Sequence, residues 1–238
     1  MEKKFELTDN FVINAFGIKL FQIKCTKSFK YANEGDLGGY VEKEDNLSQY
    51  GDAWVSGDAR VSGNARVSGN AWVSGDARVS GDARVYGDAW VSGDARVSGD
   101  ARVYGNARVS GDARVSCDAW VSGDALVSCD AQVSGDARVY GNARVSGDAW
   151  VSGDARVSGN ARVENNHMHC GFDCFGSCNR HTHAYKTKGN KVEITCGCFR
   201  GNIEEFERKV EETHSGTIYE KQYKAIINLI KIKFGIDG

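Results

Sequence analysis

The chain has 238 residues, 41% of them hydrophobic, and 30 Lys and Arg stand against 32 Asp and Glu for a formal net charge of -2. A balance so near zero gives no bulk attraction to nucleic acid or to an anionic membrane, and no apolar run reaches membrane-spanning length. The opening MEKKFELTDNF lacks the apolar core of a signal peptide, and the eight Cys are expected to be reduced thiols, so the expected location is the cytoplasm.

Residues 1–50 read as N-terminal strands and a cap. Phe11–Phe16 and Lys19–Cys25 are apolar-rich runs broken at Gly17, the pattern of a strand pair. Val41 and Leu47 fall on the six-residue phase of the inward Ala that follow, but they are larger. They are expected to plug the open end of the next domain.

Residues 51–164 repeat one phrase, Gly-Asp-Ala-Arg-Val-Ser, nineteen times with small edits. Ala and Val sit two apart, as in Ala59 and Val61, so they share one face of a strand and the intervening Arg takes the other. Ser-Gly then breaks the strand, and Gly supplies the freedom for a corner. Hairpin chemistry is missing, so the strands are expected to wind as a solenoid whose coils bond to those above and below. Trp54, Trp72 and Trp90 are spaced by eighteen, as are Tyr86 and Tyr104, which makes three phrases per coil. The aliphatic-then-small pattern Val61…Ala65, Val67…Ala71 resembles the hexapeptide-repeat left-handed parallel β-helix. That resemblance implies the handedness and a mainly β fold, a triangular prism with Val and Ala inside.

Two of the three faces carry mainly outward Arg, with Arg60, Arg78, Arg96 and Arg114 on one and Arg66, Arg84, Arg102, Arg138 and Arg156 on the other. The neighbouring Asp columns are expected to neutralise them. The third face carries Trp54, Trp72, Trp90 and Leu126, and its Asp column is diluted by Asn70, Asn106, Asn142 and Asn160. Tyr86, Tyr104 and Tyr140 replace Ser at the corner leading into it. Aromatic surface gathered on one side of a rod is expected to serve self-association, as a trimer, or a foreign partner. The alternative is an aromatic ladder that stacks coil on coil. Trp120 and Trp150 fall on the other faces and are read as incidental.

Residues 165–238 read as a small α+β domain. Cys170, Cys174, Cys178, His181, Cys196 and Cys198 crowd into it with further His, but Cys-x3-Cys-x3-Cys and Cys-x-Cys are not strong zinc spacings. Metal ligands and free thiols both remain open. Val192–Cys196 alternates like a strand. Asn202 and Glu205 form an N-cap pair ahead of a helix carrying Ile203, Phe206 and Val210. Tyr219 to Phe234 makes a second helix with Tyr223, Ile226, Ile227 and Ile230 as its buried stripe.

The lead-in Gly35-Asp36-Leu37-Gly38-Gly39-Tyr40-Val41, the long repeat, and Cys196-Gly197-Cys198-Phe199-Arg200-Gly201 together resemble bacteriophage and prophage hexapeptide-repeat proteins. The resemblance implies a phage gene acting in the bacterial host cytoplasm. The expected function is a non-catalytic binding protein that inhibits a bacterial defence or regulatory component, without a cofactor. Its partner would be a host protein, and a sequestered nucleotide signal is a variant of the same reading. A structural phage protein or self-assembling rod is one alternative. A hexapeptide-repeat acyltransferase is another, although the nineteen phrases contain no His to serve as general base.

Overall fold

A computed structural model describes residues 3–187, 189 and 191–236. The repeat folds as a parallel β-solenoid. Its nineteen two-residue strands, β4 to β22, run from Trp54–Val55 to Arg162–Val163, one per phrase. Strands three places apart pair in parallel, which builds three faces. Face 1 carries Arg60, Arg78, Arg96, Arg114, Gln132 and Trp150 outward. Face 2 carries Arg66, Arg84, Arg102, Trp120, Arg138 and Arg156. Face 3 carries Trp54, Trp72, Trp90, Arg108, Leu126, Arg144 and Arg162.

The Ala and Val of every phrase are buried in one continuous core. Between coils the ladder is regular, as where Arg60 N donates to Ala77 O at 2.9 Å and Ser62 N to Val79 O at 3.0 Å. Corners need a left-handed backbone. At Gly123 φ is +66°, and a Cβ would lie 3.0 Å from the Gly141 nitrogen of the next coil.

The lead-in forms β1 (Phe5–Ile13), β2 (Lys19–Cys25) and β3 (Leu37–Val41). β1 and β2 pair antiparallel, as do β2 and β3. β3 then pairs in parallel with β5 (Arg60–Val61), so the lead-in extends face 1. The phase expected for Val41 and Leu47 is corrected here. Val41 is in register with Val61 and Leu47 with Val67, so both occupy the Val position rather than the Ala position. The cause is a corner with two extra residues between Leu47 and Ala53. Gln49 in that corner accepts from Lys4 N at 2.8 Å and donates to Phe5 O at 3.1 Å, tying β1 to the rod.

Side chains satisfy the backbone groups that the first coil leaves open. Lys4 Nζ donates to Ala53 O at 2.8 Å, and Asn46 Nδ2 donates to Ala65 O at 2.9 Å and Gly63 O at 3.0 Å. Burial lowers the Lys4 ammonium to about 8.

At the other end, β23 (His169–Phe175), β24 (Arg180–Lys186), β25 (Val192–Cys196) and β26 (Phe199–Gly201) form one antiparallel sheet in that order. Helices α1 (Ile203–His214) and α2 (Ile218–Phe234) cover one side of it, with Phe206, Val210, Tyr223, Ile227 and Ile230 packed against Ala184, Ile194 and Cys196. Asn202 and Glu205 close a reciprocal capping box at the start of α1. The other side of the sheet lies across the last coil, and Tyr185 joins the rod core.

Candidate functional site

The aromatic residues divide into two clusters, which corrects the expectation of one continuous face. The first is internal. Residues 28–32 of the lead-in fold over the start of face 3, so Trp54 is only 2% exposed and meets Phe29 edge-on at 5.4 Å. Tyr31 stacks on Trp72 at 5.5 Å, and Trp72 Nε1 donates to Ser56 Oγ at 2.8 Å. Trp90, 37% exposed, continues this seam edge-on to Trp72 and carries Arg108 over its ring at 5.0 Å. Leu126 is half-buried between Arg108 and Arg144 on the same face.

The second cluster is on face 2. Tyr86 and Tyr104 stack at 5.0 Å with their planes 4° apart, and Tyr104 meets Trp120 edge-on at 6.4 Å. Arg102 and Arg138, one coil below and one above, lie over the Trp120 ring at 5.0 and 4.7 Å. Trp120 is therefore the centre of the cluster rather than incidental. The Tyr also belong to a different face from the one expected. Arg84, Val85 and Tyr86 continue one extended strand, and Tyr86 N still donates across the coil to Val103 O at 3.0 Å. Residues i and i+2 of a strand point the same way, so Tyr86 sides with Arg84 and Tyr104 with Arg102.

The same offset recurs where Trp150 Nε1 reaches Ser134 Oγ at 3.3 Å. An outward residue thus touches the corner residue sixteen positions earlier. That spacing of Tyr104 and Trp120 was the signal in the sequence. Tyr140 lies further along and is 37% exposed.

Beside the stack is a shallow depression of about 280 Å³ lined by Arg66, Ser68, Arg84, Tyr86 and Arg102, without a carboxylate. Burial raises the Tyr86 phenol, with Tyr104 adding to it, so the hydroxyl stays protonated and able to donate. Among the described residues no ion pair joins an Arg to an Asp of the rod, so the two columns lie side by side without direct contact pairs. On face 3 Asn interrupts the Asp column, and Asn70 Nδ2 donates to Asp88 at 3.1 Å and Asn106 Nδ2 to Asp124 at 3.0 Å.

The His and Cys of the C-terminal domain do not form a common cluster. Among the described residues, no group of three or more His, Cys, Asp or Glu could hold a metal ion. Cys196 lies 3.8 Å from the Tyr223 hydroxyl under the helices, and Cys174, Cys178 and Cys198 are exposed. Burial pushes the Cys170 thiol up to about 11.

The His row faces the rod. His183 Nδ1 lies 3.3 Å from Arg156 O, Thr195 Oγ1 donates to that same carbonyl at 3.4 Å, and His169 Nδ1 lies 3.0 Å from His183 Nε2. Asn166 Oδ1 accepts from Trp150 N at 2.8 Å. These side chains supply the partners that a further coil would have supplied.

The repeat matches the family model described as YdcK beta solenoid repeat, over residues 59–75, 77–93, 89–105, 95–109, 101–117, 107–123, 137–153 and 155–167. No curated protein matches the chain. The windows begin within the rod and end at residue 167, so the lead-in and nearly all of the C-terminal domain are unmatched. The chain is a repeat protein of the β-solenoid kind.

Proposed function

We propose that the protein is a non-catalytic binding protein, and that a partner protein docks on the Tyr86–Tyr104–Trp120 surface. The observation that carries this reading is the pre-ordered stack with a guanidinium on either side of Trp120. Trp, Tyr and Arg dominate interface energetics, and side chains already held in place lose less freedom on binding. The carboxylate-free depression between Arg66, Arg84 and Arg102 complements acidic side chains around an apolar anchor.

Resemblance to phage and prophage proteins supports a bacterial host component of defence or regulation as the partner. The protein would then act as an inhibitor by occlusion in the host cytoplasm. Both rod ends are closed by side-chain hydrogen bonds, which counts against end-to-end assembly.

Affinity capture from bacterial lysate, with the mass of the eluted complex, tests the proposal on wild type and a Tyr104→Ser/Trp120→Ser variant. A host protein held in fixed ratio by wild type and lost from the variant is the expected result. A host protein held equally by both contradicts the docking surface. An assembly of this chain alone, dissociated in the variant, replaces the foreign partner with lateral self-association.

A further inference from the structure

We propose that the seam between face 2 and the C-terminal sheet binds a small phosphorylated polyol, a sugar phosphate or nucleoside monophosphate. The seam holds an open cleft of about 400 Å³ whose walls include Arg138, Arg156, Arg180, Asp136, Asp154 and His181. That volume is ordinary for a small-ligand site. The cleft shares Arg138 with the docking surface, but the inference does not depend on a partner docking there.

The cations are brought together by both units. Arg138 and Arg156 are register partners on adjacent coils, with backbones about 4.8 Å apart. Arg180 enters from β24. Arg156 Nη1 donates to Gly197 O at 3.1 Å, and a Cβ at Gly197 would come within 2.5 Å of Arg180 Nη1. The bare glycine thus admits one guanidinium while its carbonyl holds another. None of the three has a carboxylate within ion-pair distance among the described residues. Three neighbouring cations repel one another, and a phosphate dianion relieves that repulsion while matching the planar guanidinium forks.

The rest of the wall selects against a bare anion. Asp136 and Asp154 present only acceptors. The His181 side chain is 9% exposed, and its Nδ1 is bonded to the Asp173 carboxylate. Its Nε2 is buried against Gly171 and has no partner among the described residues. Cations on one side and unspent acceptors on the other fit a molecule with a phosphate at one end and hydroxyls at the other.

Isothermal titration of the full chain with ribose 5-phosphate tests this, with inorganic phosphate and ribose as separate probes. Wild type should bind one ribose 5-phosphate per chain, at least about tenfold more tightly than inorganic phosphate. Arg180→Gln should weaken binding by about tenfold or more, and Asp154→Asn should erase the preference over inorganic phosphate without lowering phosphate affinity. Each variant's melting midpoint checks its fold, and Arg138→Gln, at an exposed strand position, replaces Arg180→Gln if that variant misfolds. The proposal is overturned by absence of saturable binding, by binding unchanged in a folded Arg variant, or by inorganic phosphate binding as tightly as ribose 5-phosphate.

Discussion

Cys117 and Cys129 hold the corner position that is Gly in the other phrases, and they hold it at φ +58°. A left-handed backbone costs a residue with a Cβ roughly 1–2 kcal/mol. Replacing either by Gly removes that cost against a smaller loss of unfolded-state restriction, so each of Cys117→Gly and Cys129→Gly should raise stability by about 1 kcal/mol. Denaturant midpoints at unchanged slope check this. Asn46 works in the opposite sense. It is fully buried, it satisfies two carbonyls, and its Oδ1 accepts from Lys43 N at 2.9 Å. Asn46→Ala should cost about 2–3 kcal/mol, read the same way, because buried acceptors would be left bare. At this scale the sequence showed which residues face inward, because Ala and Val recur without exception. It did not show that Val41 and Leu47 take the Val position, since a two-residue insertion at a corner changes phase without changing composition.

Among the elements, the helices were legible because an N-cap and a 3.6-residue stripe are local signals. The four-stranded sheet was legible only at Val192–Cys196. In β24, His181, His183 and Tyr185 face the rod while Thr182 and Ala184 face the helices, and most of the strand is buried on both sides. Such a strand shows no alternation of polar with apolar. Its polar side meets the open Arg156 carbonyl of the last coil, and that docking role is why His concentrate in this strand.

That role predicts a pH dependence. Burial, reinforced by His169, holds His183 down to about 3, and burial, reinforced by the Lys233 ammonium, holds His169 down to about 4. Unfolded His titrates near ~6.5. Between those values the unfolded chain takes up protons that the docked sheet refuses, so stability is complete above about pH 6.5 and falls as pH drops toward 4. The His169 shift alone is worth on the order of 3 kcal/mol. Melting midpoints between about pH 7.5 and 4.5 should fall accordingly, and His183→Asn should flatten the slope.

For the whole molecule, stability is a sum over coils that touch only their neighbours, closed by a cap at each end. Excising residues 122–139, one full coil, should therefore leave a folded and shorter rod, seen as an unchanged strand signal in circular dichroism and a single melting transition. An aggregated product would contradict nearest-neighbour construction. Eighteen-residue periodicity made the prism legible, because any other coil length would scatter Trp54, Trp72 and Trp90 over different faces. The lead-in folding over Trp54 was not legible, since that contact is made by residues 28–32 from outside the repeat.

The aromatic residues divide into a seam that holds the lead-in and a partly exposed cluster, proposed as the docking surface. The most direct test of this division pairs Trp54→Ser with Trp120→Ser, measuring melting midpoint and host protein retained per chain for each. Trp54→Ser should lower the midpoint by several degrees, as expected for roughly 3 kcal/mol lost from a buried aromatic, and should still retain the partner while folded. Trp120→Ser should leave the midpoint nearly unchanged and lose the partner. Full retention by a folded Trp120→Ser protein, or loss confined to Trp54→Ser, would contradict the account.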